Sequence, residues 1–212
     1  MGGWTDIWIS RIKDTDEVSI LALLREEDRE RYEKIIPPKR KRNFAFRRAV
    51  LNFVLQHYVK KYSIKRDANG KPYVVSSDSE NIYFNSSSSA GLCVVAVSVE
   101  VIGVDLEVRH QSVDLVSICE KYLPIFSELS DVWKESRIVK QLAMCTWCRM
   151  ESFVKLNGLT LHNVLFGQKN KSERSSSDII ISGNDFVCAV SQFGYVELNK
   201  IYHVGFEKIH HE

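Results

Sequence analysis

The chain has 212 residues, 44% of them hydrophobic, and a formal net charge of +2. That length and apolar content allow one large core or two small ones. The small charge permits a mildly acidic partner and does not call for a nucleic acid. No apolar run approaches the roughly eighteen residues of a membrane span, and positions 1–6 lack a basic leader before an apolar stretch. Neither a membrane helix nor a secretory signal is therefore expected, and a cytoplasmic location is. The five cysteines then read as reduced thiols. Cys145 and Cys148 form a C-x-x-C, but no second pair or histidine set stands at zinc spacing, so they read as helix residues one turn apart.

Positions 4–10 alternate loosely and predict a strand. Asp14-Thr15-Asp16-Glu17 offers an N-cap with an acid three residues on, ahead of Val18, Leu21 and Leu24, so a helix is expected next. Pro37-Pro38 ends that segment. The basic run Lys39-Arg40-Lys41-Arg42, with Arg47 and Arg48, leads into Phe44, Val50, Leu51, Val54, Leu55 and Tyr58, which recur at the spacing of an amphipathic helix. Asn69-Gly70 marks a turn and Lys71-Pro72-Tyr73-Val74-Val75 leads out of it as a short strand. Positions 76–89 are Ser-rich and look like low complexity, interrupted by the strand-like trio Ile82-Tyr83-Phe84.

Positions 92–104 carry the strongest β signal and predict a buried strand or hairpin ending at Asp105. Val139, Leu142, Trp147, Met150, Phe153 and Val154 describe an apolar helical stripe, with Gly158 as its C-cap. Positions 169–178 are polar and predict a mobile loop. Phe186-Val187-Cys188-Ala189-Val190-Ser191 then echoes Leu92-Cys93-Val94-Val95-Ala96-Val97-Ser98. Each half thus holds a long amphipathic helix and a Cys/Val/Ala/Ser strand. The expected fold is α+β, a pseudo-twofold duplication with halves at 1–104 and 105–212 and a ligand cleft between them.

Chemistry concentrates at Gly103-Val104-Asp105-Leu106-Glu107 and at Trp147-Cys148-Arg149-Met150-Glu151-Ser152-Phe153-Val154-Lys155. Side chains alternate along a strand, so Asp105 and Glu107 share one side and can lean toward one cation. Glu151 and Lys155, four apart on a helix, share a face. Three carboxylates and a lysine suit Mg²⁺ bound to a phosphoanhydride, and Mn²⁺ accepts the same all-oxygen shell. A D-x-E alone would also serve an unrelated Mg²⁺-dependent phosphoesterase. Asp105 and Glu107 could also simply be the polar end of a strand, each solvated or paired to a lysine, and Glu151 with Lys155 a surface ion pair.

With Gly70-Lys71-Pro72 and Phe84-Asn85-Ser86-Ser87-Ser88-Ser89, these blocks form an ordered set. It resembles the 4′-phosphopantetheinyl transferase superfamily, in particular its longer, pseudodimeric, surfactin-synthetase-activating branch. That family is marked by a G-K-P turn, an F-N-x-S-H-S phrase, a G-(I/V)-D-(I/L)-E strand and a W-x-x-K-E-(S/A)-x-x-K helix. The resemblance implies that Asp105, Glu107 and Glu151 hold Mg²⁺ against the pyrophosphate of coenzyme A. It further implies that Lys155 contacts the transferring phosphate, that Glu151 or a water it orients takes the serine proton, and that Lys71, the Ser87, Ser88 and Ser89 loop and Arg48 receive the nucleotide end. The implied reaction moves phosphopantetheine from coenzyme A to a serine of an apo acyl or peptidyl carrier protein and releases 3′,5′-ADP; a monomer is implied as well.

Two positions depart from the family pattern. Ser88 stands where the family has histidine, and Met150 where it has lysine. These departures lead to the alternative of an impaired paralogue that binds coenzyme A or a carrier protein without turnover.

Overall fold

The computed structural model describes residues 4–76, 82–109, 114–122, 136–160 and 175–206. The chain is α+β. It opens with β1 (Thr5–Thr15), α1 (Glu17–Ala22), α2 (Glu26–Glu33) and α3 (Pro38–Gln56), followed by the β2 (Ser63–Arg66) and β3 (Pro72–Val75) hairpin. β4 (Tyr83–Ser89), β5 (Leu92–Ser98) and β6 (Ile102–Val108) come next, then α4 (Leu115–Tyr122) and α5 (Arg137–Asn157). β7 (Ser176–Ser182), β8 (Phe186–Phe193) and β9 (Leu198–Phe206) complete the described chain. One sheet has the order β4-β5-β1-β9 and a second the order β6-β8-β7. β9 pairs parallel with β1, so the last strand lies in the sheet built by the first.

Period-two alternation assigns the layers. On β5, Cys93, Val95 and Val97 pack with the buried row of α3, while Leu92, Val94 and Ala96 pack against Ile102, Val104 and Leu106 of β6 and Cys188 and Val190 of β8. The other face of the second sheet carries Val187 and Ala189 against Met144 and Cys148 of α5. The order through the molecule is therefore helix, sheet, sheet, helix. Each fully buried Val, Leu or Ile contributes about 1.5–3 kcal/mol.

Gly103 lies under α5 because nothing larger fits. A Cβ there would stand 2.0 Å from the Ser152 carbonyl oxygen and 2.5 Å from the Leu156 nitrogen. The buried residues of α5 nearest that contact are small, Cys148 and Ser152, with Val139, Ala143, Met144, Val154 and Leu156 buried along the rest of the helix. Of the expected stripe, Val139 and Val154 are buried and the other four are not. Leu142 is exposed, and Trp147, Met150 and Phe153 are only half-buried, because close approach to the sheet selects small side chains over large apolar ones.

Other boundaries shift for local reasons. Asp16 caps α1 by accepting from the Ser19 amide at 3.0 Å, but the helix stops at Ala22 and a separate, highly charged α2 follows. Pro38 opens α3 at its first turn, where a missing N–H costs nothing. Positions 92–104 are not a hairpin, since β5 pairs with β4 and β1 whereas β6 pairs with β8. Nor does the strand end at Asp105, because β6 runs on to Val108.

Ser86–Ser89 are not low complexity in structure. They complete β4, in register with β5 from Tyr83 opposite Ser98 to Ser89 opposite Leu92. The two-residue turn between these strands has φ of 44° at Ala90 and 79° at Gly91, the left-handed pair that suits a right-twisted hairpin. Of the expected loop at 169–178, positions 169–174 lie outside the described residues, and Ser176–Asp178 belong to β7. All five cysteines are free thiols. No helix among the described residues is long and apolar enough to cross a membrane.

Candidate functional site

The site forms where the edge strand of one sheet, β4, meets the edge strand of the other, β6. Asn85 secures the junction: its Oδ1 accepts the Val104 amide at 3.2 Å, which fixes one strand against the other. Ser87 and Ser89 then point toward β6, and Asp105 and Glu107 point away from the inter-sheet core, which is filled by Val104 and Leu106. Ser87 Oγ donates to Asp105 Oδ1 at 2.9 Å and Ser89 Oγ to Glu107 Oε2 at 3.3 Å. The two strands thus present hydroxyls and carboxylates in step, each pair two residues from the last.

The helix α5 closes this row. Lys155 Nζ donates to Asp105 Oδ1 at 2.6 Å and to Ser87 Oγ at 3.1 Å, so three elements meet on one carboxylate oxygen. Asp105 is only 5% exposed, and its second oxygen, Oδ2, is buried with no hydrogen-bond partner. A buried carboxylate oxygen without a donor is costly unless a cation or donor reaches it. Glu151, one turn before Lys155, is half-buried. Burial first, and the Asp105 charge second, push its carboxyl above the usual carboxylate range, with Lys155 opposing. The same environment pushes the Cys148 thiol up, again by burial first and the Asp105 charge second, with smaller contributions from Cys188, Glu107 and a hydrogen bond with Asp105.

Asp105, Glu151 and Lys155 are thus brought together, and Glu107 stands two residues along the same strand face. The residues fit a divalent cation in that the donor oxygens are hard carboxylates and Asp105 Oδ2 has no N–H or O–H donor, only the weakly donating Cys148 thiol nearby. Among the described residues, no three carboxylate, thiol or imidazole groups already stand close enough to enclose a metal; the Lys155 ammonium supplies the positive charge on Asp105 instead.

Lys71 reaches the same end of α5. Its Nζ donates to the Leu156 carbonyl at 2.8 Å, next in sequence to Lys155, and burial pulls its ammonium down to about 8. Gly158, with φ of 63°, ends α5 against Asn69 of the β2–β3 turn. The hairpin therefore docks on the helix terminus and delivers Lys71 there.

Beside the carboxylate row lies a cavity of about 450 Å³ lined by Lys39, Arg40 and Arg47 of α3, by Ser88 and Ser89 of β4, and by the Ala90-Gly91 turn. Pairing opposite Cys93 puts Ser88 on the α3 side of the sheet, whereas Ser89 belongs to both features. Arg48 is not part of this lining. Its Nε donates to Asp28 Oδ1 at 2.6 Å, and Asp28, held also by Asn52, is almost wholly buried. The cations that line the cavity are Lys39, Arg40 and Arg47, which spacing along the basic run could not separate from Arg48. Arg149 pairs with Asp178 of β7 at 2.8 Å and lies on the far side of the helix from this chemistry.

No protein-family model matches this chain, and no curated protein matches it.

Proposed function

We propose that the chain is a 4′-phosphopantetheinyl transferase of the pseudodimeric type, converting an apo acyl or peptidyl carrier protein to its holo form with coenzyme A as co-substrate. The observation that carries this reading is the convergence of Asp105, Glu151 and Lys155, from motifs far apart in sequence, beside a serine- and arginine-lined cavity. The two β-rich units would be the related halves, with β5 and β8 as their corresponding inner strands and the junction of β4 with β6 as the cleft.

In the reaction a carrier serine Oγ bonds to the β-phosphorus of coenzyme A. The anhydride P–O bond breaks, and 3′,5′-ADP carries away the bridging oxygen. Glu151 takes the serine proton, and its raised carboxyl makes it a stronger base than an ordinary glutamate. Lys155 moves its charge from Asp105 toward the transferring phosphate. Lys71 and the Lys39, Arg40 and Arg47 wall hold the remaining phosphates, with the Ser88 and Ser89 hydroxyls as neutral donors. Mg²⁺ or Mn²⁺, held by Asp105, Glu107 and Glu151, would supply charge neutralisation at the anhydride. Positioning and charge compensation are most of what phosphoryl-type transfer needs.

The test is intact-mass spectrometry of an apo carrier protein incubated with this chain, coenzyme A and Mg²⁺, beside a chelator control. A phosphopantetheine adduct formed only with metal is the expected result. Coenzyme A binding without any adduct across several carriers would favour the impaired paralogue, to which the neutral Ser88 and Met150 point.

A further inference from the structure

Lys155 is held at Asp105 by the packing of three elements rather than by its own helix. Helical spacing offers it Glu151, one turn back, as an ion-pair partner. Among the described residues the ammonium instead makes its ion pair across to β6, with Asp105 Oδ1 at 2.6 Å, and its second contact to β4, with Ser87 Oγ at 3.1 Å. Gly103 sets this reach, because it lets the Ser152 carbonyl and the Leu156 nitrogen of α5 rest directly on β6. Ser87 Oγ donates to the same Asp105 oxygen at 2.9 Å. Ammonium, hydroxyl and carboxylate therefore close a triangle, each member touching the other two.

That triangle takes up the carboxylate a divalent cation would use. The Asp105 side chain is 7% exposed and the Lys155 side chain 29%, so the ammonium is the outward member of the pair. A cation that approaches Asp105 and Glu151 meets the ammonium, and like charges repel strongly where little water screens them. The carboxylate cannot hold both at full strength. In keeping with this, Asp105, Glu107 and Glu151 do not already stand close enough to enclose a metal. The ammonium also has somewhere to go: its stem is flexible, and it is anchored only by Asp105 and Ser87.

We infer that Lys155 is a tethered competitor for the divalent-cation site, holding Asp105 until a polyphosphate anion draws the ammonium outward. Metal and anion then bind as a linked pair, and each raises the affinity for the other by the same factor. Free Mg²⁺ or Mn²⁺ alone finds the site closed. The choice of the coenzyme A anhydride as the anion rests on the transferase function proposed above, whereas the competition rests on the contact itself.

The experiment is titration of Mn²⁺, followed by the electron paramagnetic resonance signal of the free ion, against the full chain and its Lys155→Met, Lys155→Gln and Lys71→Met variants, each with and without coenzyme A. Without coenzyme A, both Lys155 variants should bind Mn²⁺ about tenfold or more tightly than the parent. Lys71→Met removes an ammonium bonded to the Leu156 carbonyl rather than to Asp105 and should stay within about threefold of the parent. With coenzyme A, the affinity of the parent should rise by about tenfold or more and come within about threefold of the Lys155 variants. Lys155→Gln keeps a neutral donor beside the buried carboxylate, so it decides the matter where Lys155→Met does not fold. Unchanged Mn²⁺ affinity in the folded Lys155 variants, an equal gain in Lys71→Met, or a gap that persists with coenzyme A bound would each overturn the inference. Coenzyme A that leaves the Mn²⁺ affinity of every protein unchanged would remove it as the anion, and the transferase reading with it, while the comparison with metal alone still decides for or against Lys155.

Discussion

Replacing Gly103 by alanine tests the feature that brings α5 down onto the second sheet. The added Cβ would stand 2.0 Å from the Ser152 carbonyl oxygen, 2.5 Å from the Leu156 nitrogen and 3.0 Å from its Cα, all of them backbone atoms that no rotamer change can move. Ordinary contact for a Cβ begins near 3.4 Å, so α5 must recede by about 1 Å or more. Overpacking of this kind costs about 3 kcal/mol, a large share of the roughly 5–15 kcal/mol that stabilises a domain. With a urea slope of about 2 kcal/mol/M, the denaturation midpoint should fall by about 1.5 M at unchanged slope. Gly205→Ala is the control: its nearest neighbour would be the Asp14 carbonyl at 3.3 Å, and its loss should stay below about 1 kcal/mol. The displacement also carries Glu151 and Lys155 away from Asp105, and misplacement by about 1 Å costs on the order of 100-fold in rate, so phosphopantetheine transfer should drop at temperatures where the variant remains folded. A Gly103→Ala loss below about 1 kcal/mol would refute the close-approach reasoning.

Three further outcomes follow from the charged groups. The Glu151 carboxyl is raised in the fold, so its favourable contribution is fully present below the unfolded value of about 4.3 and is lost as pH rises through the folded one; Glu151→Gln should therefore melt higher than the parent at pH 7, match it near pH 4, and lose transfer, and identical melting at pH 7 would contradict this. The Lys71 ammonium titrates near 8 in the fold and near 10.4 unfolded, so between those values the unfolded chain holds the extra proton. Stability of the parent should rise across that window relative to Lys71→Met, as read by urea midpoints at a series of pH values; parallel profiles would remove Lys71 as the cause. Arg48→Met leaves the buried Asp28 carboxylate with only Asn52 from the set and should cost about 3 kcal/mol in urea denaturation, while coenzyme A affinity of the folded variant, measured by calorimetry, stays unchanged because Arg48 does not line the basic cavity.

The candidate site was legible where local rules governed it. Asp105 and Glu107 share a strand face because side chains alternate, and Glu151 and Lys155 share a helix face because four residues make about one turn. The serine strand was not legible, since serine has little β preference of its own; Ser86–Ser89 are extended because β5 offers a full backbone ladder and the Ala90-Gly91 turn sets the register. The pairing of Arg48 with Asp28 was hidden as well. It joins α2 and α3 across twenty residues, and no spacing rule relates those positions.

By itself, the sequence determined the α+β class, an N-cap within positions 14–17, the turn at Asn69-Gly70, the C-cap at Gly158 and the two rows of charged side chains, because each depends on the conformation of a few neighbouring residues. Only the tertiary structure decided that β5 and β6 part into different sheets, that β9 returns to pair with β1, and that β4 and β6 meet so that Ser87, Asp105 and Lys155 share one contact. The aromatic cluster beside Asp6 belongs to the same class, assembled from β1, α3 and β9. Such features depend on which buried faces pack together, and the energy that selects them comes from apolar area and backbone hydrogen bonds contributed by segments far apart in the chain.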